Sequence, residues 1–193
     1  MNVALRKPMT LEQFLAWEER QERRYEFDGF WPVAMAGGTA AHAAIQRNLI
    51  IALGTRLRGK PCQPYGSELK ILVDGRVRYP DAFVVCTPVP PRATLVADPV
   101  VVFEVLSDGS AHDDLVVKHA EYRANPAIRR YVVLQQSRAG ALVFARKGED
   151  WAAETVFGEA AVLRLPEIGI EIPLAECYAD LPPDPEATPP AEA

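Results

Sequence analysis

The stretch "VVFEVLSDGS", residues 101–110, decides how the fold is interpreted, because it places a carboxylate inside an apolar run. Valine, phenylalanine and leucine on both sides of Glu104 are typical of a central strand that is buried on both faces. A buried carboxylate without a partner is costly, or it is neutralised by a raised pKa. The stretch therefore predicts a compensating group close to Glu104, with Ser107 and Asp108 marking the end of the strand.

The preceding strand carries a second carboxylate. "RYPDAFVV", residues 78–85, puts Asp81 directly after Pro80, a residue that is tolerated at the start of a strand. If this strand runs antiparallel to the strand of Glu104, the start of one adjoins the end of the other. We therefore expect Asp81 and Glu104 to be neighbours, within reach of one shared ion.

A lysine follows on the next predicted helix, "HDDLVVKHAEYRAN", residues 112–125. Lys118 lies three residues after Leu115 and four before Tyr122, so the three side chains share one face of a helix. If Leu115 and Tyr122 face the sheet, the Lys118 amine faces it too.

Two carboxylates and an amine in one pocket suggest metal-assisted phosphodiester hydrolysis. A divalent cation removes the repulsion between the carboxylates, and hard oxygen ligands suit magnesium or manganese. Such an ion polarises a phosphoryl oxygen, and an ammonium stabilises the charge that builds on it. Without metal, Glu104→Gln is expected to stabilise the chain by removing an unbalanced buried charge. The spacing also allows Asp81 to pair with Arg78 or cap the turn at 74–75, and Lys118 to pair with Asp114.

The order of predicted elements indicates a single α+β domain over residues 1–181. Proline, alanine and glutamate dominate residues 182–193, which we predict to be a disordered tail. The folded part is predicted to contain a helix at 10–24 with a Thr10–Gln13 capping box, a hairpin at 25–35, a helix at 40–58 capped by Thr39, single strands at 61–73 and 77–86 around an Asp74–Gly75 turn, a strand at 100–107, a helix at 112–125, and strands at 129–136, 140–146 and 151–157.

The composition narrows the class of protein. The 193 residues are 49% hydrophobic and 24% charged, which suits one soluble domain, and no apolar run approaches the ~20 residues that span a membrane. The N-terminus lacks the apolar core of a signal peptide. Three widely spaced cysteines argue against a disulfide framework and for a reducing, cytoplasmic location. A net charge of -5 argues against a strong nonspecific binder of nucleic acid.

Four segments together resemble a known family. They are "YEFDGFWPVAMAGGTAAHAAIQRNL" (25–49), "RYPDAFVV" (78–85), "DPVVVFEVLSDGS" (98–110) and "DLVVKHAEYR" (114–123). In this order they resemble the Uma family of restriction endonuclease-like proteins, in the PD-(D/E)XK nuclease superfamily. The resemblance covers residues 9–180. It implies an α/β/α sandwich in which a central mixed sheet is flanked by helices.

The resemblance also implies a site. The lysine that usually follows two residues after the second carboxylate is absent, since Leu106 stands there, and Lys118 would replace it from the helix. An early glutamate would join the metal ligands. The implied set is Asp81, Glu104 and Lys118 as catalytic residues, Asp81, Glu104 and Glu26 as metal ligands, and His42 as an accessory residue. The implied cofactor is Mg²⁺ or Mn²⁺, and the implied partners are DNA and a second copy of the chain.

Three functions compete at this point. The first is a divalent-metal-dependent endonuclease that hydrolyses DNA phosphodiester bonds. The second is a catalytically silent binding or assembly module of the same fold, which the net charge and the missing strand lysine favour. The third is a metal phosphohydrolase that acts on a small substrate. Phe30 and Gln135 stand where the family usually has acidic residues, so a site with weakened activity is also compatible with the sequence.

Overall fold

The computed structural model describes residues 7–106 and 113–181, with the side chains of residues 113 and 114 left out. The predicted strand exit at Ser107 and Asp108 and the predicted disordered tail at 182–193 lie outside the described residues. None of the described helices is both long and apolar enough to cross a membrane.

Four α-helices and thirteen strands make up the described chain. The helices are α1 (Leu11–Glu18), α2 (Ala40–Leu57), α3 (His119–Ala124) and α4 (Leu174–Cys177), with a π-helix (Asp113–Lys118) before α3 and a 3-10 helix (Pro166–Ile168) before the last strand. The strands are β1 (Tyr25–Phe27), β2 (Pro32–Ala34), β3 (Gln63–Gly66), β4 (Lys70–Val73), β5 (Arg76–Arg78), β6 (Ala82–Val85), β7 (Leu95–Val96), β8 (Val101–Leu106), β9 (Arg130–Gln135), β10 (Gly140–Lys147), β11 (Asp150–Phe157), β12 (Val162–Leu165) and β13 (Ile170–Pro173).

The central layer is a six-stranded mixed sheet in the order β11-β10-β9-β8-β6-β3. Strands β8 and β9 run parallel, and the other neighbours run antiparallel. A five-stranded sheet, β2-β1-β5-β4-β7, and the ribbon β12-β13 complete the fold. The predicted α+β class, with a central mixed sheet flanked by helices, is confirmed.

The two faces of the central sheet form separate cores. Leu49 and Leu53 of α2 pack with Phe103 and Val105 of β8 on one face. Tyr122 of α3 packs on the other face, where β8 contributes Val102 and β9 contributes Tyr131 and Val133. Because successive side chains of a strand point to opposite faces, Glu104 belongs with Val102 on the α3 side.

Several local predictions are confirmed. Thr10 and Gln13 make both hydrogen bonds of the capping box, and the Thr39 side chain accepts from the His42 amide at the start of α2. Asp74 and Gly75 join β4 to β5 with φ values of 47° and 75°. Two consecutive left-handed residues are what a two-residue hairpin turn requires.

The strands predicted at 61–73 and 77–86 are each two strands, and this is a correction. Strands β3 and β6 belong to the central sheet, whereas β4 and β5 belong to the five-stranded sheet. One reason is Pro80, which has no N–H to donate to a ladder, so pairing stops there and the chain changes sheets. The single helix predicted at 112–125 is also a π-helix followed by the short α3.

Cys62 and Cys86 form a disulfide, contrary to the expectation from the cysteine count. The β3–β6 ladder ends at the pair Gln63 and Val85, so the next residues, Cys62 and Cys86, lie opposite each other. Distance along the sequence misled the prediction, because antiparallel pairing brings residues 62 and 86 within 3.9 Å between their Cα atoms. The odd cysteine, Cys177, is free and buried.

Candidate active site

Asp81 lies at the joint where the chain passes from one sheet to the other. It follows Pro80 and directly precedes β6, and Pro80 is itself buried. Strands β6 and β8 pair antiparallel, which is the condition stated for Asp81 and Glu104 to be neighbours, and their ladder ends at Ala82 and Phe103. Continuing that register by one residue sets Asp81 opposite Glu104.

The Asp81 carboxylate is held from two directions. Its Oδ2 accepts a hydrogen bond of 2.7 Å from the amide of Val105, the residue after Glu104. Strand amides donate within the plane of the sheet, so the Asp81 carboxylate accepts the Val105 hydrogen bond in place of a backbone carbonyl of β6, which begins one residue later. From α2, Gln46 Nε2 donates to Oδ1 at 3.1 Å and to the Asp81 carbonyl at 3.2 Å, while His42 Nε2 lies 3.2 Å from Oδ2.

Glu104 is buried, with 3% of its surface exposed, and two groups on the α3 side contact it. Lys118 Nζ donates to Oε1 at 3.0 Å and Tyr122 Oη donates to the same oxygen at 2.9 Å. Burial raises the pKa of Tyr122 well above its usual value, and the charge of Glu104 raises it further, so the phenol keeps the proton that it donates. The inward orientation of Lys118 agrees with the spacing of Leu115, Lys118 and Tyr122.

Glu26 is engaged by a neighbouring cationic network. Its Oε1 accepts from the Tyr79 amide at 3.1 Å, and its Oε2 lies 2.9 Å from Arg78 Nη1. Arg78 also binds Glu121 through two hydrogen bonds of 2.7 and 2.6 Å. Burial lowers the pKa of Arg78, but the bonds to Glu121 and the charge of Glu26 outweigh it and hold the pKa above its ordinary value. Glu26 thus fixes the chain two residues before Asp81, and its role as a metal ligand stays a prediction.

Two residues of the site were not singled out from the sequence. Gln46 lies four residues after His42, on the same face of α2, and that spacing could have identified it. Tyr122 served only to indicate the buried face of a helix, because its bond to Glu104 depends on how α3 packs against β8. The alternative pairing of Asp81 with Arg78 is not what the structure has, since the Arg78 guanidinium binds Glu26 and Glu121.

The donor set suits a hard divalent cation held by few protein ligands. Among the described residues, no group of three or more histidine, cysteine or acidic side chains is arranged to hold a metal. Mg²⁺ is commonly bound by one or two carboxylates, with waters and substrate phosphate oxygens completing the shell. Asp81 and Glu104 are the residues that would supply those carboxylates here.

Fold and site together define a nuclease-like α+β protein. A crystal structure described as "a putative nuclease belonging to DUF820", from Anabaena variabilis, is similar with a TM-score of 0.70 and 14% identity, over 89% of this chain and 98% of the other. That likeness shows a shared fold.

Residues 11–175 match the family described as "Uma2: Putative restriction endonuclease", and the chain belongs to this family. The resemblance found in the sequence is therefore confirmed. Two uncharacterized proteins of Synechocystis sp. are relatives. Protein slr1290 is 28% identical over 174 residues, covering 88% of this chain and 91% of the relative. Protein sll1609 is 25% identical over 169 residues, covering 83% and 94%.

Proposed function

We propose that the chain is a divalent-metal-dependent endonuclease that hydrolyses DNA phosphodiester bonds. One observation carries the proposal: Lys118 Nζ lies 3.0 Å from Glu104 near the end of β8, while Asp81 binds the amide of the very next residue. Two carboxylates and an ammonium around one strand end are the groups that this hydrolysis needs. Membership of the Uma2 family supports the same reaction.

Asp81 and Glu104 would hold Mg²⁺ or Mn²⁺, which when bound supplies Lewis acidity toward a phosphoryl oxygen and lowers the pKa of a coordinated water. Neighbouring side chains prepare both carboxylates for this role. Gln46 fixes Asp81 through its carboxylate and its carbonyl, and Tyr122 fixes Glu104. Partners of this kind keep ligands in their binding geometry.

Lys118 and His42 have separate roles in the proposal. The Lys118 ammonium stabilises the negative charge that develops on the phosphate, because it is held close to the reacting group by Glu104. His42 orients Asp81 from α2, since its Nε2 lies within hydrogen-bonding distance of Oδ2. Glu26 is the third carboxylate of the proposal. To bind the ion, it would have to release its hydrogen bond to Arg78.

The test is cleavage of supercoiled plasmid and of single-stranded DNA with Mg²⁺ or Mn²⁺, using wild type, Lys118→Ala and Glu104→Gln. We expect Lys118→Ala to lower the cleavage rate by about 100- to 1000-fold. Calorimetry should show that this variant still binds the metal, whereas Glu104→Gln binds it more weakly because an amide oxygen carries no charge. Wild-type cleavage equal to that of both variants would overturn the proposal.

A catalytically silent binding module is the second candidate. In its favour, Glu26 is already neutralised by Arg78, and no three-ligand metal group occurs in the part of the chain that the structure describes. Such a module would bind its partner but give no metal-binding heat and no cleavage in the assay above.

We further propose a homodimer, because cutting both strands of a duplex is served by two copies of one site. Light scattering should then give about twice the 21.3 kDa of the chain. A cytoplasmic location rests on the proposed DNA substrate alone, since the Cys62–Cys86 disulfide removes the argument from the cysteines.

A further inference from the structure

A cluster of three arginines lies at the C-terminal end of α3, away from the catalytic groups. Its centre is Arg146 of β10, whose Nη2 donates to the carbonyls of Arg123 and Asn125 at 2.7 and 2.8 Å. Its Nε donates to the carbonyl of Ile128 at 2.9 Å. The guanidinium also lies over the Trp151 ring, 4.7 Å from its centroid. Arg146 therefore caps α3, and its guanidinium is fixed in place.

Arg123 and Arg129 are both exposed, and Arg146 bonds to the backbone carbonyl of each. The Arg146 amide bonds to the Arg129 carbonyl at 2.8 Å, so the two backbones are directly joined. Burial lowers the pKa of Arg146, and the neighbouring charges of Arg129 and Arg123 lower it further.

No described acidic side chain forms an ion pair with any of these three arginines. Across residues 7–106 and 113–181, the ion pairs include none of the three arginines. Like charges held together without a counter-ion reduce stability, and an anion would relieve that cost. Guanidinium groups match the oxygens of a phosphate better than any other side chain does.

The position of the cluster fits a duplex that lies over the candidate active site. Val101 pairs with Arg130 and Glu104 with Val133 in the parallel β8–β9 ladder. Arg129 precedes Arg130 and Arg146 pairs with it, so these two arginines are about four strand residues from the level of Glu104, or roughly 13 Å along the sheet. DNA rises about 3.4 Å per nucleotide, so roughly 13 Å corresponds to about four base pairs.

We propose that Arg123 and Arg129, beside Arg146, bind the phosphodiester backbone of DNA about four base pairs from the bond to be cut. The choice of DNA rests on the proposed function. A chain with a net charge of -5 needs a local cationic surface to hold such a polyanion, and these arginines supply one.

The test compares Arg123→Ala/Arg129→Ala with a control, Arg58→Ala/Lys60→Ala, which removes two exposed cations after the end of α2. Arg146 is left unchanged because it caps α3. Fluorescence anisotropy with a duplex of roughly 20 base pairs, in EDTA, gives the affinity over a salt series. Losing two phosphate contacts should reduce the slope of log K against log salt by about 1.8. Between about 50 and 200 mM salt, the wild-type affinity should fall about 12-fold more than that of the arginine variant.

The control should keep the wild-type slope. Equal slopes in wild type and the arginine variant would overturn the inference, as would an equal loss in the control or a wild type that binds no duplex. Cleavage with Mg²⁺ is measured separately. If wild type cleaves DNA but the arginine variant keeps the wild-type salt slope, the arginine site is refuted and the endonuclease proposal stands. If the variant has a reduced salt slope but wild type does not cleave DNA, the arginine site stands and the endonuclease proposal is refuted.

Discussion

Tyr122→Phe isolates the support that the fold gives to the buried carboxylate. It removes one oxygen atom, the donor of the 2.9 Å bond to Glu104, and it keeps the fully buried ring. The edge contact between this ring and Tyr131, 4.8 Å between centroids, is retained. A hydrogen bond to a charged group contributes about 1.5–3 kcal/mol. We expect that loss in the free energy of unfolding, and a melting temperature lower by roughly 3–12 °C for a domain of this size.

The matched control is Tyr178→Phe. The Tyr178 hydroxyl lies 2.7 Å from the carbonyl oxygen of Gln135 and 2.9 Å from that of Gly140, which are both neutral acceptors. A neutral bond contributes about 0.5–1.5 kcal/mol, so this variant should lose less. Urea unfolding of both variants in EDTA measures the difference. If Tyr122→Phe loses no more than Tyr178→Phe, the phenol does not stabilise a charged Glu104 and the reasoning is wrong.

Two further predictions concern stability. Burial lowers the pKa of His119, and Arg123 lowers it further, so the unfolded chain takes up this proton first as the pH falls. The stability that neutral His119 contributes is present above about pH 6.5, the ordinary pKa of histidine, and is lost as the pH falls below it. His119→Phe should therefore reduce the fall in the free energy of unfolding between about pH 7.5 and 5.5, measured by urea unfolding. An unchanged pH dependence would contradict this. The Cys62–Cys86 bridge spans a sequence separation of 24. Cys62→Ala/Cys86→Ala should therefore lower the free energy of unfolding by about 3 kcal/mol. Reduced wild type is the control, and a variant as stable as the oxidised wild type would contradict the prediction.

The parts of the fold that were predictable are those that local pattern determines. An apolar run on both sides of Glu104 predicted a central strand, and β8 is the fourth strand of the six-stranded sheet. The turn residues at 74–75 and the cap at Thr39 were also read correctly, because both depend on the conformations of single residues. The antiparallel pairing of β6 with β8 was the condition on which the expected approach of Asp81 to Glu104 depended, and the structure has it.

The parts that were missed depend on contacts between distant residues. Nothing local states that β4 and β6 belong to different sheets, because both are short apolar strands. The bonds of Arg78 to Glu26 and Glu121 join residues 52 and 43 positions apart. The disulfide likewise depends on the register of the β3–β6 ladder, which a count of cysteines does not contain.

The structure reverses one expectation about Glu104. The sequence suggested that Glu104→Gln would stabilise the metal-free chain, but Lys118 and Tyr122 already compensate the carboxylate without a metal. The substitution removes the ion pair and replaces a charge-assisted bond from Tyr122 with a neutral one. Breaking a fully buried pair costs about 3–5 kcal/mol.

Since the Lys118 side chain is 13% exposed and the amide oxygen still accepts, we expect a loss of about 2 kcal/mol for Glu104→Gln in EDTA. Glu104→Gln/Lys118→Met removes both charges and should recover much of that loss, which separates the ion pair from other effects at residue 104. Urea unfolding of the two variants and of wild type shows whether Glu104→Gln raises or lowers the free energy of unfolding. A Glu104→Gln protein as stable as wild type would show that the carboxylate depends on a metal for its compensation, because the fold would then gain nothing from its charge.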